Sequence, residues 1–211
     1  MRMRISWFLV ILGLSLGVAL AQEKATKAAD KTGKAPAAAA KKAAPPDMTA
    51  KQSPEMAKLA KMLVGTWAVD EKFEAVPEMG PEAQAGTAKG TDVVKAGPAG
   101  NSLIGDFKAS SSMGAFTNHG VIWWDAKAGA YRSVSCDSEN PGGCDAGATG
   151  KWEGNDLVFT RNVEMMGPKG KMTIEIREVF SELKPASFTF QMDSSIDGGP
   201  MKRMMTFKYK K

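Results

Sequence analysis

The chain has 211 residues, 43% of them hydrophobic, and a formal net charge of +5. That length suffices for one domain with its own core. The positive charge sits in Arg2, Arg4 and a Lys-rich stretch over 22–52, whereas residues 53–211 hold 19 basic and 20 acidic side chains, so the folded part carries no electrostatic footprint for nucleic acid.

Arg2 and Arg4 precede an uncharged, mostly apolar run over 5–18, and Ala19-Leu20-Ala21 follows the small-x-small rule. This is the pattern of a signal peptide over residues 1–21, cleaved before Gln22. The run falls short of the ~20 residues of a spanning helix. Gln22 stands where a lipid-anchored protein has Cys. The expectation is a soluble exported protein, periplasmic or extracellular.

Residues 22–52 are Ala, Lys, Pro and Thr with almost no large apolar side chain. Such a segment buries too little surface to offset its ordering entropy, and it reads as a disordered tether. Two roles fit it: a plain spacer, or weak contact with an anionic envelope surface, where each Lys contributes about 1 kcal/mol. The folded domain is expected over 53–211.

Ser53-Pro54-Glu55 opens a helix, with Ser as cap, Pro at the first position and Glu in the first turn. Met56, Leu59, Ala60 and Leu63 follow on one face, and Gly65 ends the pattern. From there the chain alternates as strands, predicted over 66–74, 87–95, 102–110, 116–125, 130–136, 148–152, 156–163, 171–183, 187–196 and 201–210. Turn chemistry separates them, as in Asn140-Pro141-Gly142-Gly143, Glu153-Gly154-Asn155-Asp156 and Asp197-Gly198-Gly199-Pro200. No helical pattern intervenes, so parallel topology is disfavoured. The fold class is all-β: an antiparallel up-and-down meander of eight to ten strands. It hides its edges by closing into a barrel, with one short helix in front.

Several segments carry a family resemblance. They are Leu63-Val64-Gly65-Thr66-Trp67, Gly97-Pro98-Ala99-Gly100-Asn101-Ser102-Leu103-Ile104, Gly120-Val121-Ile122-Trp123-Trp124-Asp125 with Tyr131 and Asp137-Ser138, Gly150-Lys151-Trp152-Glu153-Gly154-Asn155-Asp156-Leu157, and the closing Met204-Met205-Thr206-Phe207-Lys208-Tyr209-Lys210. In order and spacing they resemble the bacterial domain-of-unknown-function family numbered 1579, over roughly residues 60–211. The resemblance implies a lipocalin-like, calycin-type barrel in which Trp67 closes the floor. It implies no activity and no catalytic residues.

Cys136 and Cys144 flank a hairpin turn in a chain read as exported, and a disulfide is the natural reading. Their spacing is not Cys-x-x-Cys and no His lies nearby in sequence, which argues against a redox or metal pair. His119 is the only histidine, which excludes multi-His metal sites. It is expected as a polar residue at the barrel mouth. Methionine thioether is a soft ligand for copper(I), but strand alternation puts Met204 and Met205 on opposite faces, so core filling is the reading. No cofactor or metal is expected, and no catalytic group stands out.

The candidate site rests on charges in the wrong phase. Glu71 falls on the face of Trp67, Val69 and Phe73, and Arg161 on that of Leu157, Phe159 and Val163. Glu178 falls on the face of Met172, Ile174, Ile176 and Phe180, and Arg203 on that of Met201, Met205, Phe207 and Tyr209. A buried charge must be paired or must meet a ligand. Arg161, Arg203, Glu71, Glu178, His119 and Tyr209 are therefore the candidate ligand-contacting residues. The functional expectation is a cavity binding a small apolar or amphipathic molecule, with an anionic head group one option for the arginines. The alternative is a structural or interaction protein of the envelope whose barrel is filled solid.

Overall fold

The computed structural model describes residues 50–211 except 81–82, 112–113, 141, 146 and 168–169. The leader and all but the last residues of the tether lie outside them. Helix α1 (Pro54–Leu63) begins as its sequence demands: the Ser53 hydroxyl accepts the Met56 N–H at 3.1 Å, and Pro54 occupies the first turn. The residues before it are tied to the turn that follows the second strand. Gln52 donates to the Gly100 carbonyl at 3.0 Å, and the Asn101 side chain accepts the Ser53 N–H at 3.0 Å and donates to the Lys51 carbonyl at 3.1 Å. Val64 leaves the helix in an extended conformation, and Gly65 turns the chain into the first strand with φ of +150°, which a residue with a Cβ rarely adopts.

Ten strands follow: β1 (Gly65–Phe73), β2 (Gly86–Ala96), β3 (Ser102–Ser111), β4 (Gly114–Asp125), β5 (Ala130–Asp137), β6 (Ala148–Glu153), β7 (Asp156–Gly167), β8 (Gly170–Lys184), β9 (Ser187–Ile196) and β10 (Lys202–Lys210). Each pairs antiparallel with the next, and β10 returns to β1, so the sheet closes into a ten-stranded barrel. Closure leaves no free edge among the paired strands. The alternation in β1 is clean: Trp67, Val69 and Glu71 are buried while Thr66, Ala68, Asp70 and Lys72 are exposed.

α1 seals one end. Met56 and Leu59 are fully buried with Trp67, Leu157 and Phe159. The Trp67 indole donates to the Leu63 carbonyl at 2.8 Å, which fixes the ring beneath the helix end. Phe188 meets Trp67 edge-on at 4.8 Å, and Tyr209 stacks on Phe188 at 4.1 Å. The Tyr131 hydroxyl donates to the Glu55 carbonyl at 3.2 Å. Trp67 is thus buried beneath α1 at this end of the barrel.

The expected alternation is broken where a strand bulges, in β8 between Ser181 and Lys184 and in β10. Between Arg203 and Met205 the β10–β9 register shifts, so Met204 is an extra residue opposite no partner on β9. Its carbonyl instead accepts the Glu74 N–H at 2.8 Å. Below the bulge Phe207 and Tyr209 keep the inward phase; above it Arg203 loses that phase.

Cys136 and Cys144 lie at disulfide distance, with Cα atoms 3.9 Å apart. Among the described residues no helix is long and apolar enough to cross a membrane.

Candidate functional site

Above the floor the barrel is hollow. A cavity of about 590 Å³ runs from Leu63 up to Val76, Met79 and Asp145 at the opposite end. All eight phenylalanines beyond residue 50 line it, and Met192, Met204 and Met205 complete its apolar wall. Small residues on the inner faces of the wall leave the space open: Ala88 on β2, Gly105 and Ala109 on β3, Gly120 on β4 and Ser133 and Ser135 on β5. The two bulged methionines reach the cavity together, which corrects the expectation that strand alternation separates them.

The polar lining is one-sided. Among the described residues seven carboxyl groups line the cavity (Glu71, Glu74, Asp92, Asp137, Glu139, Asp145 and Glu178) against one cation, Arg161. That cation is already neutralised. Its guanidinium lies 2.9 Å from Glu178 and 3.0 Å from Asp145, with Arg161 and Glu178 retaining only 11% and 12% of their side-chain exposure. Burial pushes the Glu178 carboxyl up, Arg161 opposes the shift and Asp145 reinforces it.

Glu71 has no such partner. It is 4% exposed, and its Oε1 meets no hydrogen-bonding group among the described residues. Desolvation raises its pKa from 4.5 to about 7. Its Oε1 lies over Gly90 on β2, where a Cβ would come within 2.8 Å of the Lys108 carbonyl, 2.9 Å of the Phe107 ring and 3.0 Å of Glu71 Oε1. Asp92, two residues further along β2, also has a buried oxygen, Oδ1, without a partner. Burial, followed by repulsion from Asp106, raises its pKa to about 6. Tyr209 lies within the electrostatic reach of both: burial first, then the charges of Asp92 and Glu71, hold its hydroxyl in the neutral form.

Four of the six candidate residues therefore line the cavity: Glu71, Arg161, Glu178 and Tyr209. Two do not. Arg203 is turned out by the bulge and pairs with Asp193 on β9, the neighbour of inward Met192. His119 lies on the outer face of β4, because Asn118, Gly120 and Ile122 take the inner one, and its Nδ1 sits 2.8 Å from Asp106 on the solvent side. Sequence reasoning missed Asp92 and Asp145. Asp92 carries the same wrong-phase signal as Glu71, since it shares a face with Ala88 and Val94, but small neighbours made that apolar face faint. Asp145 sits in the loop after Cys144, where strand phase says nothing.

A ten-stranded antiparallel barrel, plugged by a helix and hollow at the other end, is a lipocalin-like architecture. The chain belongs to the family described as "Protein of unknown function (DUF1579)", whose match spans residues 51–211. Among curated proteins no sequence match is found. Twelve solved chains are similar in structure. One is the crystal structure of Rv2717c from M. tuberculosis, with a TM-score of 0.51, 11% identity, and coverage of 76% of this chain and 99% of that one. At that identity the likeness concerns the fold alone.

Proposed function

We propose that this protein binds a small, largely apolar molecule inside the barrel, and that it acts as a carrier or scavenger rather than as an enzyme. The observation that carries the reading is the cavity of about 590 Å³, walled by phenylalanine and methionine and open opposite the α1 plug. That volume falls within the range of small-molecule sites, which are mostly apolar with a few placed polar groups. Methionine at the rim supplies an adaptable contact surface: Met165, Met166 and Met201, at or beside the mouth-side ends of β7 and β10, are 39%, 58% and 41% exposed. A barrel filled solid, the structural alternative, fits less well, because small residues alternate with aromatic ones on the inner wall.

The leader and the tether support an exported setting for this binding, with the tether as spacer. The test is native mass spectrometry of the mature protein purified without detergent, together with titration of a neutral fluorescent apolar probe, N-phenyl-1-naphthylamine. A saturable rise in probe emission at one equivalent is expected. No saturable binding, with no co-purified small molecule, overturns the reading.

A further inference from the structure

The carboxyl groups inside the barrel have a consequence for which molecule it holds. We infer that the ligand carries a positively charged amine, and that this group is received by Glu71 with Asp92 beyond it, while the apolar remainder lies against the phenylalanines. The inference rests on the cavity reading above and adds the chemical class of the occupant.

Three observations converge. The first is the charge of the lining among the described residues, seven carboxyls to one guanidinium, of which Glu74 alone is paired with a lysine outside the cavity, Lys72. That guanidinium already meets two of the seven at 2.9 and 3.0 Å through its two terminal nitrogens, so its charge is offset twice over, and only its Nε–H is buried without a partner among the described residues. The second is Glu71 itself, 4% exposed on the inner face of β1 with Oε1 unpartnered. A polar group buried in this way costs stability unless something hydrogen-bonds to it. The third is that the position is built. Gly90 leaves out a side chain that would meet the Lys108 carbonyl first and then Phe107 and Glu71, and the Asp92 Oδ1 is without a partner on the same strand. Lys89 and Lys72, the cations adjacent in sequence, are turned outward to Asp70 and Glu74 and do not serve these carboxyls.

A primary ammonium supplies three N–H donors and no acceptor, which suits two acceptor oxygens and the neutral Tyr209 hydroxyl. The ion pair forms in a partly desolvated site, where it discriminates strongly between a cation and a neutral group of the same length. Glu71 enters the complex ionised, so it releases the proton that burial favours in the empty barrel.

The experiment compares decylamine, decanol and decanoate at pH 7.5 on the mature chain, each as a competitor of N-phenyl-1-naphthylamine. Decylamine is expected to bind about ten-fold or more tighter than decanol, with decanoate weakest. Glu71→Gln, nearly isosteric, is expected to remove most of that preference while leaving the decanol affinity within about two-fold. Asp92→Asn provides a second variant if Glu71→Gln unfolds. Binding of the probe and decanol with no preference for the amine, or with decanoate tightest, overturns the amine inference and leaves the cavity reading standing. Failure of the probe and all three competitors to bind overturns both.

Discussion

The two ends of the barrel solve opposite problems with the same strands. At the α1 end, the Trp67 indole and the Tyr131 phenol are each given a hydrogen-bond partner, and the rings pack edge-on or stacked. Along the cavity wall the same inward faces carry carboxyls, and two of their buried oxygens, one on Glu71 and one on Asp92 opposite Trp67, meet no partner among the described residues. β1 alone spans both regimes, with Trp67 at the floor and Glu71 four residues above it. Stability is concentrated where the polar groups are satisfied, and the capacity for binding lies where they are not.

This contrast is open to direct attack. Trp67→Ala removes the floor and is expected to cost about 3–5 kcal/mol in urea unfolding. A loss below about 1 kcal/mol would mean the plug does not hold the barrel. Arg161→Met strands Glu178 and Asp145. A cost of about 3 kcal/mol is expected, at the low end for a buried pair because both partners keep some solvent contact. Arg161→Met combined with Glu178→Met should recover most of it, and a double mutant as unstable as the single one contradicts the pairing.

Glu71 predicts a pH effect of definite sign. Its folded-state pKa of about 7 lies above the ordinary 4.5, so the folded barrel holds the proton more tightly than the unfolded chain does. Its contribution to stability is full below about pH 4.5 and is lost as the pH rises through about 7. Glu71→Gln should therefore gain on the wild type between pH 5 and pH 8, by on the order of 1–3 kcal/mol in denaturant midpoints. A constant difference across that range would place Glu71 in solvent. The smallest effect is expected from deleting residues 22–49, which should leave unfolding unchanged within about 0.5 kcal/mol. Extending the deletion through Gln52 removes its bond to Gly100 and the Lys51 carbonyl that Asn101 bonds, and should cost measurably more.

Much of the closed end was legible in the sequence, and less of the mouth. The Ser53 cap, the Met56–Leu63 face and the start of β1 follow from local rules, and they appear where those rules put them. The ten strands follow from period-two patterning and turn residues that act within a few positions. Arg203 shows where such reasoning stops. A single inserted residue, Met204, inverts the phase above it, and nothing in Lys202-Arg203-Met204-Met205 announces the insertion. His119 failed for a related reason: it lies in the middle of β4, where Gly120 and Ile122 settle which face is inward, but a polar residue between polar and small neighbours does not declare its side. The pairing of Arg161 with Asp145 as well as Glu178 depends on a loop folded back over the rim, which no strand pattern encodes.

The seam between β1 and β10 also fixes when the molecule becomes complete. Nine of its ten strand pairings join neighbours in sequence, whereas the tenth joins position 69 to position 209. Local hairpins form early, but that last pairing must wait for nearly the entire chain, and its loop-closure entropy is met only then. A polypeptide that emerges from its N-terminus therefore holds β1 with one edge open through most of its synthesis, and the stack of Trp67, Phe188 and Tyr209 assembles only when β10 arrives. Docking of the final strand is then expected to be the slow step of folding, and a chain that stalls before it would expose the strand edges through which β-proteins aggregate.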